Sequence, residues 1–379
     1  MDRVDLDHNA TAPLLPEARE AASRWLAAAN PSSVHAAGRM ARRAVEDARE
    51  RVAAGLGVVG GTVVFTSGAT EAAALALTPD YRDGRAPLHF ARLLVAATEH
   101  PCVLGGGRFA AENVVRLPVD REGLLDLDAL RAALAEGPAL VAVMLANNET
   151  GVVQDIPAIS AMVREAGGLL VCDATQAVGR LPVRLHDLGA DILLLSGHKI
   201  GGPMGAGAMM ARCGAPLPAP IAEAGGQESG HRGGTENVAA IAGLAAALEI
   251  VADLQPMERV GALRDRLEGE AKRLGLVVRG AAAVRLPNTS LVSFRALSAE
   301  TAQIAFDLDG IAVSTGSACA SGKVGTSHVL AAMGVDAPGA IRFSLGRETT
   351  EHEIDRAVAT LRRLAARDAT KRETLMRAA

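Results

Sequence analysis

The stretch Asp191-Ile192-Leu193-Leu194-Leu195-Ser196-Gly197-His198-Lys199 decides the fold. It opens with a short apolar run, which predicts a strand buried on both faces of a parallel sheet. The glycine-rich residues 201–207 follow. Because so many glycines are unfavourable inside a helix or a strand, we predict a loop there. A buried parallel strand followed by such a loop is typical of an α/β fold.

Lys199 stands just after this strand, at the sheet edge where open α/β sheets bind their ligands. An ammonium group there is poorly solvated, so its neutral, nucleophilic form should be accessible. Such an amine can bond covalently to a carbonyl compound. Most lysines after strands are solvated loop residues, so the rest of the chain has to support a catalytic interpretation.

The composition indicates a globular protein of more than one domain. The chain has 379 residues, 49% of them hydrophobic and 22% charged, which exceeds the usual size of a single core. A net charge of −4 without a basic cluster argues against nucleic acid as a partner. The charged first residues do not resemble a secretory signal, and no apolar run has the length of a membrane span. We therefore expect a cytoplasmic protein.

The four cysteines are Cys102, Cys172, Cys213 and Cys319, and no two of them form a C-x-x-C pair. Neither a metal site nor a disulfide framework is predicted from this spacing. Aromatic residues make up only 2% of the chain. A flat ligand would therefore have to stack on another kind of side chain, and histidine is the obvious substitute.

Two predicted strands in the first half end at candidate ligand-binding positions. Residues 62–66 form a strand that leads through residues 67–71 into an Ala/Leu-rich helix, an arrangement whose free N–H groups can bind an anion. An N-cap without a ligand is the alternative. Residues 93–98 form the next strand, and His100 follows it. This histidine could contact a ligand, or it could simply cap the following turn.

Two further predicted strands place polar side chains at the same edge of the sheet. Asn148 follows the strand 139–145 and could donate to a ligand carboxylate, or it could belong to an ordinary Asx turn. Asp173 ends the strand 168–173, where a carboxylate is unfavourable without a cationic or N–H partner. It precedes Lys199 by one βαβ unit, so the two residues can lie on neighbouring strands.

The second half predicts a smaller α+β domain. A loop-rich segment leads into a helix that begins at Thr235 and runs to about residue 253, a second possible anion site, and a helix over 256–274 follows. Short strands then alternate with helices. The predicted strands are 276–279, 290–295, 311–315 and 340–345, and the predicted helices are 299–308, 326–333 and 351–366. Residues 367–379 could be a docking tail or a frayed helix end.

Two residues of this second half are candidates for chemistry. Cys319 lies in a run of small residues, 314–322, that cannot bury itself, so a reactive thiol is favoured over a core residue. Arg342 lies on the strand 340–345 and could bind a substrate carboxylate. A surface ion pair is its commoner use.

These candidate residues together suit pyridoxal 5'-phosphate (PLP). They provide an acid and a lysine at the ends of neighbouring strands, a histidine, and helix starts that can bind a phosphate. The chain also resembles the cysteine desulfurases, of the class V aminotransferase group of PLP enzymes. The resemblance extends over nearly the whole chain. The matching motifs are residues 6–11, 30–35, 66–71, 147–149, 173–176, 196–199, 233–237, 316–319 and 327–330.

The resemblance implies a fold-type-I architecture. A large PLP-binding domain, residues 12–253, would hold a mostly parallel seven-stranded sheet flanked by helices. Residues 1–11 and 254–379 would form a smaller domain that carries Cys319.

The resemblance also implies roles for individual residues. Lys199 would hold the cofactor and act as base at the substrate Cα, Asp173 would pair with the pyridine nitrogen, and Gln176 would bond the ring phenolic oxygen. His100 would stack on the ring. The phosphate would be bound by Ala69, Thr70, Ser196 and His198, with Thr235 reaching across a homodimer interface.

Asn148 and Arg342 would bind the carboxylate of L-cysteine. Cys319 would attack the substrate sulfur, leaving a persulfide on the enzyme and releasing L-alanine. An iron–sulfur scaffold or another acceptor protein would then take the sulfur. The implied activity is that of a sulfur-transferring transferase.

Some positions depart from the family pattern, namely His8, Cys172, Gly197, Ser229 and Gly233. They leave the sulfur acceptor open. Two other functions also stay open at this point. A different PLP lyase or aminotransferase would not need Cys319, and a catalytically silent relative would serve only as a binding subunit.

Overall fold

The computed structural model describes residues 3–222, 225–315 and 327–378. Its strands are, in chain order, β1 Val4–Asp5, β2 Thr62–Thr66, β3 Asp80–Asp83, β4 Ala86–His89, β5 Leu93–Ala96, β6 Val114–Leu117, β7 Leu140–Met144, β8 Leu169–Asp173, β9 Ile192–Ser196, β10 Gly207–Ala211, β11 Leu217–Pro218, β12 Val277–Arg279, β13 Thr289–Phe294, β14 Ile311–Ala312, β15 Ser314–Thr315 and β16 Gly339–Ser344.

The α-helices are α1 Pro16–Ser23, α2 Ala36–Gly55, α3 Ala69–Ala76, α4 Pro101–Leu104, α5 Leu127–Leu134, α6 Ile156–Glu165, α7 Leu185–Leu188, α8 Val238–Val251, α9 Gln255–Arg273, α10 Ala299–Leu308, α11 His328–Ala332 and α12 Glu351–Ala378.

The largest sheet of the described structure has seven strands in the order β2-β10-β9-β8-β7-β5-β6. All its pairings are parallel except those of β10, which is antiparallel to both β2 and β9. The predicted mostly parallel seven-stranded sheet is confirmed. Every residue of β7, β8 and β9 is buried, as expected for strands covered by helices on both faces.

The strand β10 was not predicted, because Gly207 was assigned to the preceding loop. That assignment is wrong for this one residue, since Gly207 is the first residue of the strand and pairs with both Thr66 and Ser196. The strand's Gly-Ala-Met-Met-Ala sequence contains no β-branched residue, so propensity gives little sign of it.

Two apolar clusters cover the two faces of this sheet. One includes Ala41, Val45 and Val52 of α2 together with Leu244 and Leu248 of α8. The other includes residues of α3 and α4. Helix α8 is buried on nearly all sides between its neighbours, which explains its almost purely apolar sequence.

A second, antiparallel sheet, in the order β12-β13-β16-β15, lies in the C-terminal part. Helices α9, α10 and α12 pack on it around a separate apolar core that includes Phe306 and Phe343. The N-terminal strand β1 joins this part of the molecule by pairing in parallel with β14. The chain boundaries predicted for the two domains stay a prediction.

Helix α12 is longer than predicted, because it continues from residue 366 to Ala378. The side chain of Asp368 anchors this extension. Its carboxylate accepts the backbone N–H groups of Arg295 at 3.1 Å and of Ala296 and Leu297 at 2.7 Å. The extension is therefore docked at Asp368, and the turns beyond it are exposed.

Within the described ranges, no single helix is long and apolar enough to cross a membrane, and only α8 and α9, bent by 73° from one another, meet the length and composition criteria as a pair.

Candidate active site

A cleft with a cavity volume of about 560 Å³ opens at the carboxyl edge of the seven-stranded sheet. Most of the predicted site residues line it. They are Ala69, Thr70, His100, Asn148, Asp173, Gln176, Ser196, His198, Lys199 and Arg342. The structure therefore brings these residues together, while their individual roles stay predictions.

Lys199 ends a single 3-10 turn, Gly197–Lys199, that directly follows β9. Its ammonium group donates to the backbone carbonyl oxygens of Asn9 and Ala10, both at 2.7 Å. The N-terminal segment therefore contacts the predicted catalytic amine. Asn9 was not predicted to lie in the site, and only the motif at residues 6–11 pointed to this segment.

Asp173 ends β8, the strand next to β9, so the predicted neighbouring positions of Asp173 and Lys199 are confirmed. Asp173 is 8% exposed and its Oδ1 accepts the backbone N–H of Thr175 at 2.9 Å. A carboxylate has acceptor capacity beyond one such bond. Asp173 can therefore accept a hydrogen bond from a protonated ring nitrogen in the cleft.

His100 is the N-cap of α4, and its Nδ1 accepts the backbone N–H of Cys102 at 3.3 Å. The capping alternative is thus correct, yet the imidazole also lines the cleft. Burial lowers its pKa although the nearby Asp173 raises it, and Lys199 and His328 lower it further. The imidazole is therefore neutral at physiological pH.

The start of α3 forms one end of the cleft, with Gly68 as its N-cap and Ala69 and Thr70 in its first turn. Strand β10 passes close to this turn. A Cβ atom on Gly207 would lie 2.6 Å from the Cα of Gly68, so only glycine fits at position 207. Backbone N–H groups at such a helix start are suited to bind a phosphate.

His198 and Ser196 complete this end of the cleft. Burial, followed by the positive charge of Lys199, lowers the pKa of His198 to about 4. Its Nδ1 lies 3.1 Å from the hydroxyl of Thr11. A neutral imidazole keeps one N–H donor, which is what a phosphate oxygen requires.

Arg342 reaches the cleft from β16 and is 2% exposed, so it is not a surface residue. Its guanidinium donates to Asp7 at 2.7 Å and to the backbone oxygen of Asn148 at 3.0 Å. Its Nε has no hydrogen-bond partner among the described residues. Arg342 does form an ion pair, but the alternative of a surface pair is wrong, because the pair is largely buried and orients the guanidinium beside Asn148.

The side-chain amide of Gln176 is engaged on both sides. It donates to the backbone oxygen of Asn9 at 3.0 Å and accepts from Arg180 at 2.8 Å. Arg180 is buried, and this burial lowers its pKa to about 10. The predicted bond from Gln176 to a ring oxygen stays a prediction.

Two predicted site residues remain to be placed, Thr235 and Cys319. Thr235 is exposed and does not line the cleft, and α8 begins at Val238 rather than at Thr235 because Asn237 caps it through the N–H of Ala240. Cys319 lies outside the described residues.

Sequence analysis also missed Cys102 and Thr11, which line the cleft. Thr11 ends the motif at residues 6–11, and Cys102 stands two residues after His100, but neither was assigned a role in the site.

The donor set at this cleft fits PLP. A primary amine, a buried carboxylate on the neighbouring strand and a helix start are arranged around one cavity, with a flat, neutral imidazole on its wall. These groups match the aldehyde, ring nitrogen, phosphate and ring face of that cofactor.

Comparisons with known proteins agree with this arrangement. The aminotransferase class-V family model matches residues 4–357. A cysteine desulfurase of Cereibacter sphaeroides is 42% identical, with 95% of this chain and 95% of that protein covered. The NifS-like protein of Rickettsia africae has a similar structure, with a TM-score of 0.85, 32% identity and coverage of 94% and 98%.

A structure of SspA in complex with cysteine is also similar, with a TM-score of 0.75, 27% identity and coverage of 92% of this chain and 100% of that one. Members of the class V family generally depend on PLP. The chain belongs to the class V aminotransferase family and, within it, to the cysteine desulfurases.

Proposed function

We propose that this chain is a PLP-dependent cysteine desulfurase, which removes sulfur from L-cysteine, holds it as a persulfide on Cys319 and releases L-alanine. The observation that carries this proposal is the convergence of Lys199, Asp173, His100 and Arg342 on one cleft in a chain of this family. The cysteine complex of the related SspA supports L-cysteine as the substrate.

PLP, when bound, supplies an electron sink for negative charge that develops at the substrate Cα. The buried carboxylate of Asp173 would pair with the ring nitrogen and keep it protonated. His100 would stack on the ring. Backbone N–H groups at the start of α3, together with Ser196 and His198, would bind the phosphate.

Lys199 would hold the cofactor and then move the proton at the substrate Cα. Its amine is positioned for this by the carbonyl oxygens of Asn9 and Ala10, which it contacts at 2.7 Å. These two contacts orient the amine. A primary amine in its neutral form can take a proton from a neighbouring atom and return it.

Arg342 and Asn148 would bind the substrate carboxylate. The bond to Asp7 orients the guanidinium, and its Nε has no hydrogen-bond partner among the residues that the structure describes. An arginine presents several N–H groups in one plane, so it can bind a carboxylate through two of them. This contact would select amino-acid substrates and fix the direction in which the cysteine side chain points.

The thiolate of Cys319 would attack the sulfur of the bound cysteine. A sulfur–sulfur bond forms as the substrate Cβ–S bond breaks, and the electron pair of the broken bond stays with the carbon. Protonation of that carbon gives alanine. The sulfur then leaves Cys319 for an acceptor, which we propose to be an iron–sulfur scaffold or another sulfur-accepting protein.

We further propose a cytoplasmic homodimer in which Thr235 contributes to the partner's phosphate site. Thr235 is exposed, as this contact requires. Large apolar side chains between α1 and the first turns of α2 are also exposed, with Leu26 at 77% and Val34 at 88%. Exposed apolar residues of this kind mark an interaction surface when they are clustered.

The test quantifies alanine and sulfide from L-cysteine, PLP and a reductant, for the wild type and for Cys319→Ala. We expect equal amounts of both products from the wild type and none from the variant, while the variant keeps its PLP absorbance. Continued turnover by Cys319→Ala, or pyruvate in place of alanine, would instead indicate another PLP lyase. Lys199→Ala serves as the control that lacks the cofactor-binding amine.

A further inference from the structure

Cys102 is a second thiol at this cleft, and it contacts His100 directly. Its Sγ lies 3.0 Å from Nδ1 of His100, and its backbone nitrogen lies 3.3 Å from the same Nδ1. Two groups of one residue therefore converge on one ring nitrogen.

This geometry determines where the imidazole carries its proton. A backbone N–H can only donate, so Nδ1 of His100 must be the acceptor in this contact and cannot carry a hydrogen. A neutral imidazole has one N–H, which must then be on Nε2. A protonated ring would turn an N–H of its own toward the backbone N–H of Cys102, which is repulsive.

The thiol of Cys102 is suited to be a second donor. Burial, with a smaller effect of the Asp173 charge, raises the pKa of this thiol to about 12, although the hydroxyl of Thr70 lowers it. Cys102 therefore keeps its S–H hydrogen throughout the physiological range. It is a poor nucleophile for the same reason, since the thiolate is the reactive form.

We propose that Cys102 is a positioning residue for His100: its thiol and its backbone N–H both hydrogen-bond Nδ1, and they keep the imidazole neutral with its single hydrogen on Nε2. The catalytic consequence of this contact rests on the proposed function. A neutral imidazole can stack on the cofactor without adding positive charge beside the protonated nitrogen of the cofactor ring. The contact itself does not depend on that function.

Other charged groups also act on this histidine. Asp173 favours its protonated form, whereas Lys199 and His328 disfavour it. Glu99, which precedes His100, is buried and has its own pKa raised well above the ordinary value by that burial. Since none of these groups is changed by a substitution at position 102, the effect of the thiol can be separated from theirs.

The experiment measures the titration of His100 in the PLP-bound protein by NMR of histidine labelled with ¹³C at Cε1, with His100→Gln used only to assign its signal. The variants are Cys102→Ala, which removes the donor, and Cys102→Ser, which replaces it with a hydroxyl donor. Cys213→Ala removes an exposed thiol and is the matched control.

We expect Cys102→Ala to raise the pKa of His100 by about half a unit to one unit, the effect of one neutral hydrogen bond. The acid limb of the pH profile of kcat/KM should move upward with it. Cys102→Ser should restore both values, and Cys213→Ala should change neither. A structural role alone would lower activity at every pH without moving the limb.

An unchanged titration of His100 in Cys102→Ala would overturn the proposal, as would a Cys102→Ser variant that behaves like Cys102→Ala. The NMR result does not depend on turnover. If the wild type releases no alanine but the titration shifts as expected, the positioning role stands and only the proposed function fails.

Discussion

Glu149 makes the folding stability depend on pH in a way that can be measured. It lies in the loop after β7, is 1% exposed, and accepts the hydroxyl of Ser327 at 2.6 Å. Burial raises its pKa from 4.5 to about 7, against the lowering effects of Ser327 and Arg342. The loop that carries Asn148 is thereby bonded to Ser327, the N-cap of α11.

The folded protein holds the Glu149 proton more tightly than the unfolded chain does. The stabilisation is therefore fully present below pH 4.5 and is lost as the pH rises to about 7. One pKa unit corresponds to about 1.4 kcal/mol, so ionised Glu149 costs the folded state about 3 kcal/mol. Glu149→Gln cannot ionise, and its amide oxygen can still accept from Ser327.

We compare the free energy of unfolding of Glu149→Gln with that of the wild type at each pH. The difference should favour the variant by about 3 kcal/mol more above about pH 7 than at low pH. Urea unfolding at about pH 5, 6.5 and 8 measures this difference. Glu373→Gln, at an exposed position on α12, is the control and should show no pH-dependent difference. A difference for Glu149→Gln that is flat with pH, or that grows toward acid, would refute the reasoning.

Three other substitutions test the site and the fold. Arg342→Lys should lower kcat/KM for cysteine by about tenfold or more, chiefly through KM, because a lysine cannot bind a carboxylate through two N–H groups in one plane. Gly207→Ala should weaken PLP binding, measured by cofactor titration, because the added Cβ would lie 2.6 Å from the Cα of Gly68. Asp368→Ala should destabilise the protein by about 3 kcal/mol and speed hydrogen exchange at residues 295–297, because three backbone N–H groups lose their acceptor.

The predictions for Gly207 and Arg342 each have a matched control. Gly261→Ala lies inside α9, where the added Cβ would have ordinary contacts at 3.6 Å, and should leave PLP binding unchanged. Arg273→Lys, on an exposed part of the same helix, should not alter KM. If KM is unchanged in Arg342→Lys, Arg342 does not bind the substrate carboxylate as proposed. If hydrogen exchange is unchanged in Asp368→Ala, the bonds from residues 295–297 to Asp368 do not protect those N–H groups.

The residue pattern was sufficient for the strands of the larger sheet other than β6 and β10, and for the residues at its carboxyl edge. Strands β7, β8 and β9 are short apolar runs, and each leads into a polar residue of the site, namely Asn148, Asp173 and Lys199. The positions of these strands and of the polar residues after them can be read from short stretches of sequence. A buried parallel strand is apolar along its whole length, and the residue at its end lies at the carboxyl edge of the sheet.

Only the tertiary structure decided which distant segments complete the site. Asn9 contacts Lys199 from the N-terminal segment, Asp7 pairs with Arg342, and the antiparallel β10 packs Gly207 against the start of α3. These partners are far apart in the chain, and no local periodicity encodes which of them meet. The sequence by itself determined the fold class, the family and the chemistry at the sheet edge, whereas burial and long-range packing determined how Arg342 is oriented and which segments reach Lys199.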